Sequence, residues 1–200
     1  MNFIRTLGKD ARGAAMVEFT VVMMVLFLLT AGIIDFGHML FQWNSAEKAT
    51  QAGARAAAIS DPVAAELADF DCNNSSISLG TPCRPNGTPF AEGDPPVIRC
   101  SGATSSCDGG YSFSAAAFNL ILAPMQQMFP RLQPANVVVE YIDIGLGFAG
   151  RQSPVPEIRV SLTGLNFDYA FLGGILGNWS MAMPDFRATL VGEDLSSAGA

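Results

Sequence analysis

Histidine occurs once in this chain of 200 residues, as His38. A Ser-His-Asp triad would have to be built around that position, which lies just past a long apolar run and not in a folded domain. Zinc sites need three or four ligands, and no partners for His38 stand nearby in the sequence. Charge is also scarce, at 14% of residues. The 11 Lys and Arg are outnumbered by 18 Asp and Glu, for a net charge of −7. Nucleic-acid binding needs clustered basic side chains at phosphates, so that class is excluded. No phosphate-cradling loop is present. Gly145-x-Gly147 and Gly173-Gly174 lack the lysine and the following helix that such a loop requires. Glu193-Asp194 and Glu140 with Asp143 read as solvated surface charges. Asp69, Asp71 and Asn73 alternate as calcium ligands do, but without the glycine and terminal glutamate of an EF-hand loop. These residues predict a protein that is not an enzyme and holds no metal or cofactor.

Two further absences carry positive information. No charged residue occurs from Phe19 to Ile34, and no proline before Pro62. Ala14 to Ile34 makes a stretch of 21 residues with one charge, Glu18. A helix of roughly 20 residues crosses a bilayer core of about 30 Å. Arg5, Lys9 and Arg12 precede the run and Asp35 follows it. The positive-inside rule places the leader in the cytoplasm and the chain after Asp35 outside it. The expected location is the inner (cytoplasmic) membrane, crossed once.

Glu18 is the anomaly. A cleaved secretory signal fits poorly, because the run is too long, contains a glutamate and offers only Thr30-Ala31-Gly32 as a cut. A plain anchor puts Glu18 within about one turn of the interface, where its carboxylate reaches water. A prepilin-type signal, cut after Gly13, accounts for it differently. Cleavage frees an α-amino group on Ala14, and residues four apart share a helix face. In a stack of parallel subunits, the amine of one meets the Glu18 carboxylate of the next. A lone carboxylate deep in a bilayer costs about 2.5–3.5 kcal/mol, so pairing favours assembly in register.

The segment from Arg12 to Ala58 resembles the N-terminal segment of the TadE-like family, the pseudopilins of the tight-adherence (Flp) pilus system. The resemblance rests on Gly13, on Glu18-Phe19 after four further residues, and on the apolar run. Asp35-Phe36, Asn44 and Gly53-Ala54-Arg55 complete it. It covers about a quarter of the chain. The residue after Gly13 is alanine, not phenylalanine, which points to the tight-adherence branch of type IV pilins. The resemblance implies processing by a prepilin peptidase at Gly13 and Ala14. It implies a minor role in pilus assembly beside other pseudopilins, the major pilin and an inner-membrane assembly platform. The rival reading is an uncleaved, single-pass anchor for an extracytoplasmic binding protein or enzyme.

Beyond the span, Phe36, Leu40 and Trp43 keep helical spacing, and an Ala-rich stretch runs on to Asp61-Pro62. One helix over 14–59 is predicted, about 67 Å long. His38 and Trp43 suit the headgroup region. Ala46, Ala49, Gly53 and Ala57 form a low-bulk stripe, facing either the helix's own domain or a second subunit. Residues 60–112 are rich in Pro, Ser and Gly and hold all four cysteines, Cys72, Cys83, Cys100 and Cys107. They read as a loop region stabilised by disulfides in an oxidising compartment. The local pairs Cys72–Cys83 and Cys100–Cys107 are favoured among three possible pairings. Gaps of eleven and seven residues do not suit zinc.

Residues 113–200 read as an α+β unit. A helix is expected from Ser114 to Met128, with Ala116, Leu120 and Ala123 on one side. Strands are expected over Asn136–Ile144, over Pro156–Leu162 and around Phe186–Leu190, with Pro184 limiting the last to an edge or a late start. Gly145 to Pro154 would connect the first two. Phe167 to Trp179, apolar and Gly-rich, is open between a short helix, a capping loop and an exposed patch. The predicted fold is α+β and pilin-like. Its long N-terminal transmembrane helix packs on a small antiparallel sheet with a disulfide-containing loop, and residues 1–13 form a cleaved leader.

Overall fold

The computed structural model describes residues 11–68, 97–144, 156–177 and 180–192. A single helix, α1 (Ala11–Ala58), occupies the first of these ranges almost entirely. Its 48 residues span about 72 Å at the usual rise. No proline interrupts it and alanine dominates its last third, so propensity sustains it where packing is thin.

The chain divides into two compact units: Met1–Phe41 with Asn166–Met181, and Gln42–Leu165 with Ala182–Ala200. The second unit holds a sheet of five strands among the described residues. They are β1 (Val97–Ser101), β2 (Ser106–Cys107), β3 (Val137–Ile142), β4 (Glu157–Leu162) and β7 (Phe186–Val191), in the order β2-β1-β3-β4-β7. Every pairing is antiparallel. The register aligns Ile98, Tyr141, Ile158 and Leu190 in one row, and Cys100, Val139, Val160 and Ala188 in the next. Alternation puts these rows on one face. On the opposite face Arg99, Glu140 and Arg159 lie in one row, with Glu140 within 3.9 Å of Arg99 and 3.7 Å of Arg159.

Helix α2 (Ala115–Met128) starts at Ser114, whose hydroxyl accepts from the Ala117 N–H. Ala117, Phe118, Ile121, Leu122 and Met125 are buried on it. The side of the helix that carries Ala116, Leu120 and Ala123 is the exposed one. The bulkier set has more apolar area to remove from water, and that area sets which way a helix turns.

The stripe Ala46, Ala49, Gly53 and Ala57 on α1 is buried within its own unit. A Cβ on Gly53 would lie 2.5 Å from the Met125 sulfur, so glycine leaves the space that the Met125 side chain fills. Trp43 packs edge-on against Phe186, with ring centroids 5.0 Å apart, and stays 39% exposed.

Residues 60–112, expected as a loop region, contribute two strands. Val97 and Arg99 point outward while Ile98 and Cys100 are buried, an alternation short enough to be lost between Pro95-Pro96 and Gly102. Cys100 and Cys107 are cross-strand neighbours and form a disulfide. Cys72 and Cys83 lie outside the described residues. So do Asp69, Asp71 and Asn73, and the connection 145–155.

The chain leaving α1 is fastened to the start of α2. Ser114 N–H donates to the Val63 carbonyl at 2.8 Å, and Ala65 N–H to Ser112 at 3.0 Å. Val63 N–H donates to the Tyr141 hydroxyl at 2.8 Å, deep beneath the sheet. Burial pushes the Tyr141 phenol far above its ordinary pKa, and the Val63 hydrogen bond offsets little of this. Tyr141→Phe deletes the acceptor and leaves a buried N–H unsatisfied. The expected loss of stability is about 1–3 kcal/mol, read by denaturant unfolding of the detergent-solubilised chain. An unchanged midpoint would show that Val63 finds another acceptor.

Candidate functional site

The N-terminal half of α1 carries the candidate assembly residues. From Met16 to Leu29 every side chain is exposed, including Phe19, Leu26 and Phe27. By length and composition it is a helix able to cross a membrane. Its only hydroxyls between Phe19 and Ile34 turn back on the helix. Thr20 donates to the Met16 carbonyl at 2.8 Å and Thr30 to that of Phe27 at 2.9 Å. No side-chain donor in the run is left pointing at hydrocarbon.

Gly13, Ala14 and Glu18 are all exposed on the first turns of α1. Nothing lies within 4 Å of where a Gly13 Cβ would be. Ala14 and Glu18 are separated by one helical turn and lie on the same side.

At the other end of the run the first unit builds a site that the sequence reading did not anticipate. Strands β5 (Asn166–Asp168) and β6 (Ser180–Ala182) pair with each other, and a short helix α3 (Leu172–Leu176) lies between them. The carboxylate of Asp35 accepts four hydrogen bonds from the backbone at the start of α3. Oδ1 takes the N–H of Ala170 at 3.0 Å and of Phe171 at 3.1 Å. Oδ2 takes the N–H of Phe171 at 3.2 Å and of Leu172 at 2.8 Å. A helix start leaves such donors unpaired, and Phe171 at the N-cap has no side-chain acceptor to offer. Asp35 supplies the acceptor from a residue 135–137 positions away. It is 1% exposed, the most deeply covered carboxylate among the described residues.

His38, three residues on, lies edge-on to Phe167 with centroids 5.7 Å apart. Phe167 in turn meets Tyr169 at 5.0 Å. Phe167 is fully buried, and so is Ala31, one turn before Asp35. The open question over Phe167 to Trp179 is thus answered as a strand and a short helix held on α1, with Trp179 outside the described residues. Among the described residues no group of three or more His, Cys, Asp or Glu side chains is placed to hold a metal ion.

Glu66 is the other carboxylate that ties distant segments together. It accepts the Ser112 N–H through both oxygens, at 3.1 and 2.8 Å. Hydrogen bonding from Ser112, helped by its own amide, holds the Glu66 carboxyl below its ordinary value.

Two outcomes are expected. Asp35→Ala removes the acceptor for three amides. Hydrogen exchange at Ala170, Phe171 and Leu172 should then accelerate while the strand Val137–Ile142 keeps its protection; equal protection at 170–172 would count against the tie. For Glu66, the lowered folded value means stabilisation fully present above the unfolded value of about 4.3 and lost as pH falls through the folded one. A Glu66→Gln variant should therefore unfold more readily than the parent at neutral pH and match it at the acid end. A gap independent of pH would refute the linkage.

Residues 13–55 match the family model described as TadE-like protein. No curated protein and no solved structure matches the chain.

Proposed function

We propose that this chain, TadE-like over residues 13–55, is a membrane-anchored minor pseudopilin that serves assembly of a tight-adherence (Flp, type IVb-like) pilus. The observation that carries this reading is an apolar helix with no protein cover, introduced by Gly13 and bearing Glu18 one turn after Ala14. Its orientation follows the basic leader: N-terminus in the cytoplasm, sheet-bearing unit on the extracytoplasmic side, where the Cys100–Cys107 bridge is chemically at home.

In this scheme a prepilin peptidase cuts after Gly13. The new Ala14 amine and the Glu18 carboxylate have complementary charges on one face of α1. Between parallel subunits, amine and carboxylate pair and replace the solvation that each loses in the bilayer. The chain is a substrate of that peptidase. Its working partners are other pseudopilins, the major pilin and the inner-membrane assembly platform. About 140 residues follow the helix, far more than a subunit that is little besides its first helix, so the role is a minor one and not that of the bulk filament.

The test is the N-terminal sequence and intact mass of the protein recovered from membranes with and without the peptidase. A chain beginning at Ala14, lighter by about 1.5 kDa only when the peptidase is present, is the expected result. A chain beginning at Met1 in both preparations would overturn the pseudopilin reading in favour of an uncleaved anchor. Glu18→Ala should leave membrane insertion intact and reduce pilus assembly.

A further inference from the structure

We infer that residues 169–177 with 180–181 form a second membrane contact: a strap lying in the outer leaflet of the bilayer, beside the exit of α1. The inference rests on the reading of α1 as a membrane span. Between Asp168 and Asp185 the sequence has no charged residue. At 16 residues this run is too short to cross, but its length suits an interfacial or re-entrant segment.

Three observations place it in lipid. The first is its level. The strap is fastened at Asp35, directly after the charge-free run, and Ala31, about 6 Å further into the membrane along the helix axis, is buried with it. The second is continuity of apolar surface. Phe36, Leu40 and Phe41 are exposed on α1 beyond Asp35, so the lipid-like surface of the helix does not stop at the aspartate. On the strap itself, Phe171 is 47% exposed and Met181 43%. These side chains extend the surface that α1 presents from Met16 onward. The occupant of the span therefore covers the strap too, and that occupant is lipid.

The third observation is the satisfaction of polar groups. Backbone in hydrocarbon must find its partners internally. The amides of Ala170, Phe171 and Leu172 find theirs in Asp35, β5 and β6 pair with each other, and the Tyr169 hydroxyl points at the Met181 sulfur at 3.9 Å. The same contacts remove the Asp35 carboxylate from lipid. A charge that would otherwise end the apolar surface is cancelled by donors that would otherwise bar the strap from the membrane.

The test is depth measurement by spin label on the full chain in liposomes. A nitroxide amino acid replaces, one at a time, Phe27 in the span, Phe171 and Met181 in the strap, and Leu120, which is exposed on α2. Collision with oxygen, which concentrates in lipid, is compared with collision with a water-soluble nickel chelate. The expected result is oxygen-dominated collision at Phe27, Phe171 and Met181, and nickel-dominated collision at Leu120. Asp35→Ala should shift Phe171 toward nickel and leave Phe27 unchanged. Nickel-dominated collision at Phe171 and Met181 with Phe27 still in lipid would overturn the strap alone. Shielding of both strap positions from both reagents would mean that a protein surface covers them, and would overturn it equally. Nickel-dominated collision at Phe27 would overturn the span reading and the strap with it.

Discussion

From Met16 to Leu29 the side chains of α1 are exposed, with no cover among the described residues, whereas from Ala46 to Ala57 the inward ones are buried in protein. The same helix must therefore satisfy two surroundings. Its composition changes to suit them: large branched and aromatic side chains in the first half, alanine and glycine in the second. Large side chains fit where the neighbour is fluid and deformable. Small ones fit where a second helix and a sheet must approach closely, as Met125 approaches Gly53. At Gly53 a bulkier residue would meet the Met125 side chain of α2.

The change of surroundings leaves a boundary problem. A charged residue at the end of a span must reach water, be neutralised or be covered. Asp35 is covered, and its cover is built from donors that needed an acceptor in any case. Desolvating a carboxylate is costly, and unpaired amides are costly to bury. Four charge-assisted hydrogen bonds offset both at once. The two ends of α1 treat their carboxylates oppositely. Glu18 is exposed, whereas Asp35 is spent within its own chain.

The second unit is held by more ordinary means. Three antiparallel strands that pair over most of their length, β3, β4 and β7, share a buried face with β1, and the Cys100–Cys107 bridge pins the two-residue β2 at the edge. Loop closure over so few residues is cheap, so the bridge can hold a hairpin that its hydrogen bonds alone would leave frayed. At the far edge the inward alternation of β7 weakens, with Leu190 40% exposed. That fits a strand with a neighbour on one side only.

Much of this was legible in the sequence because it is periodic. A charge-free run of spanning length and a proline-free stretch to Pro62 determine a long helix that leaves the membrane and continues. The alternation of Ile158, Val160 and Leu162 determines a strand with one inward face. Gly13, Glu18 and the family resemblance are likewise properties of local order. The inward face of α2, the membership of Val97–Ser101 in the sheet, the docking of Trp43 on Phe186 and the partner of Asp35 were decided only by tertiary structure. Local periodicity records that a residue is turned inward, but not what it will meet there. The donors that complete Asp35 stand more than 130 residues away and are backbone amides, which every non-proline residue has and which therefore leave no mark on the sequence.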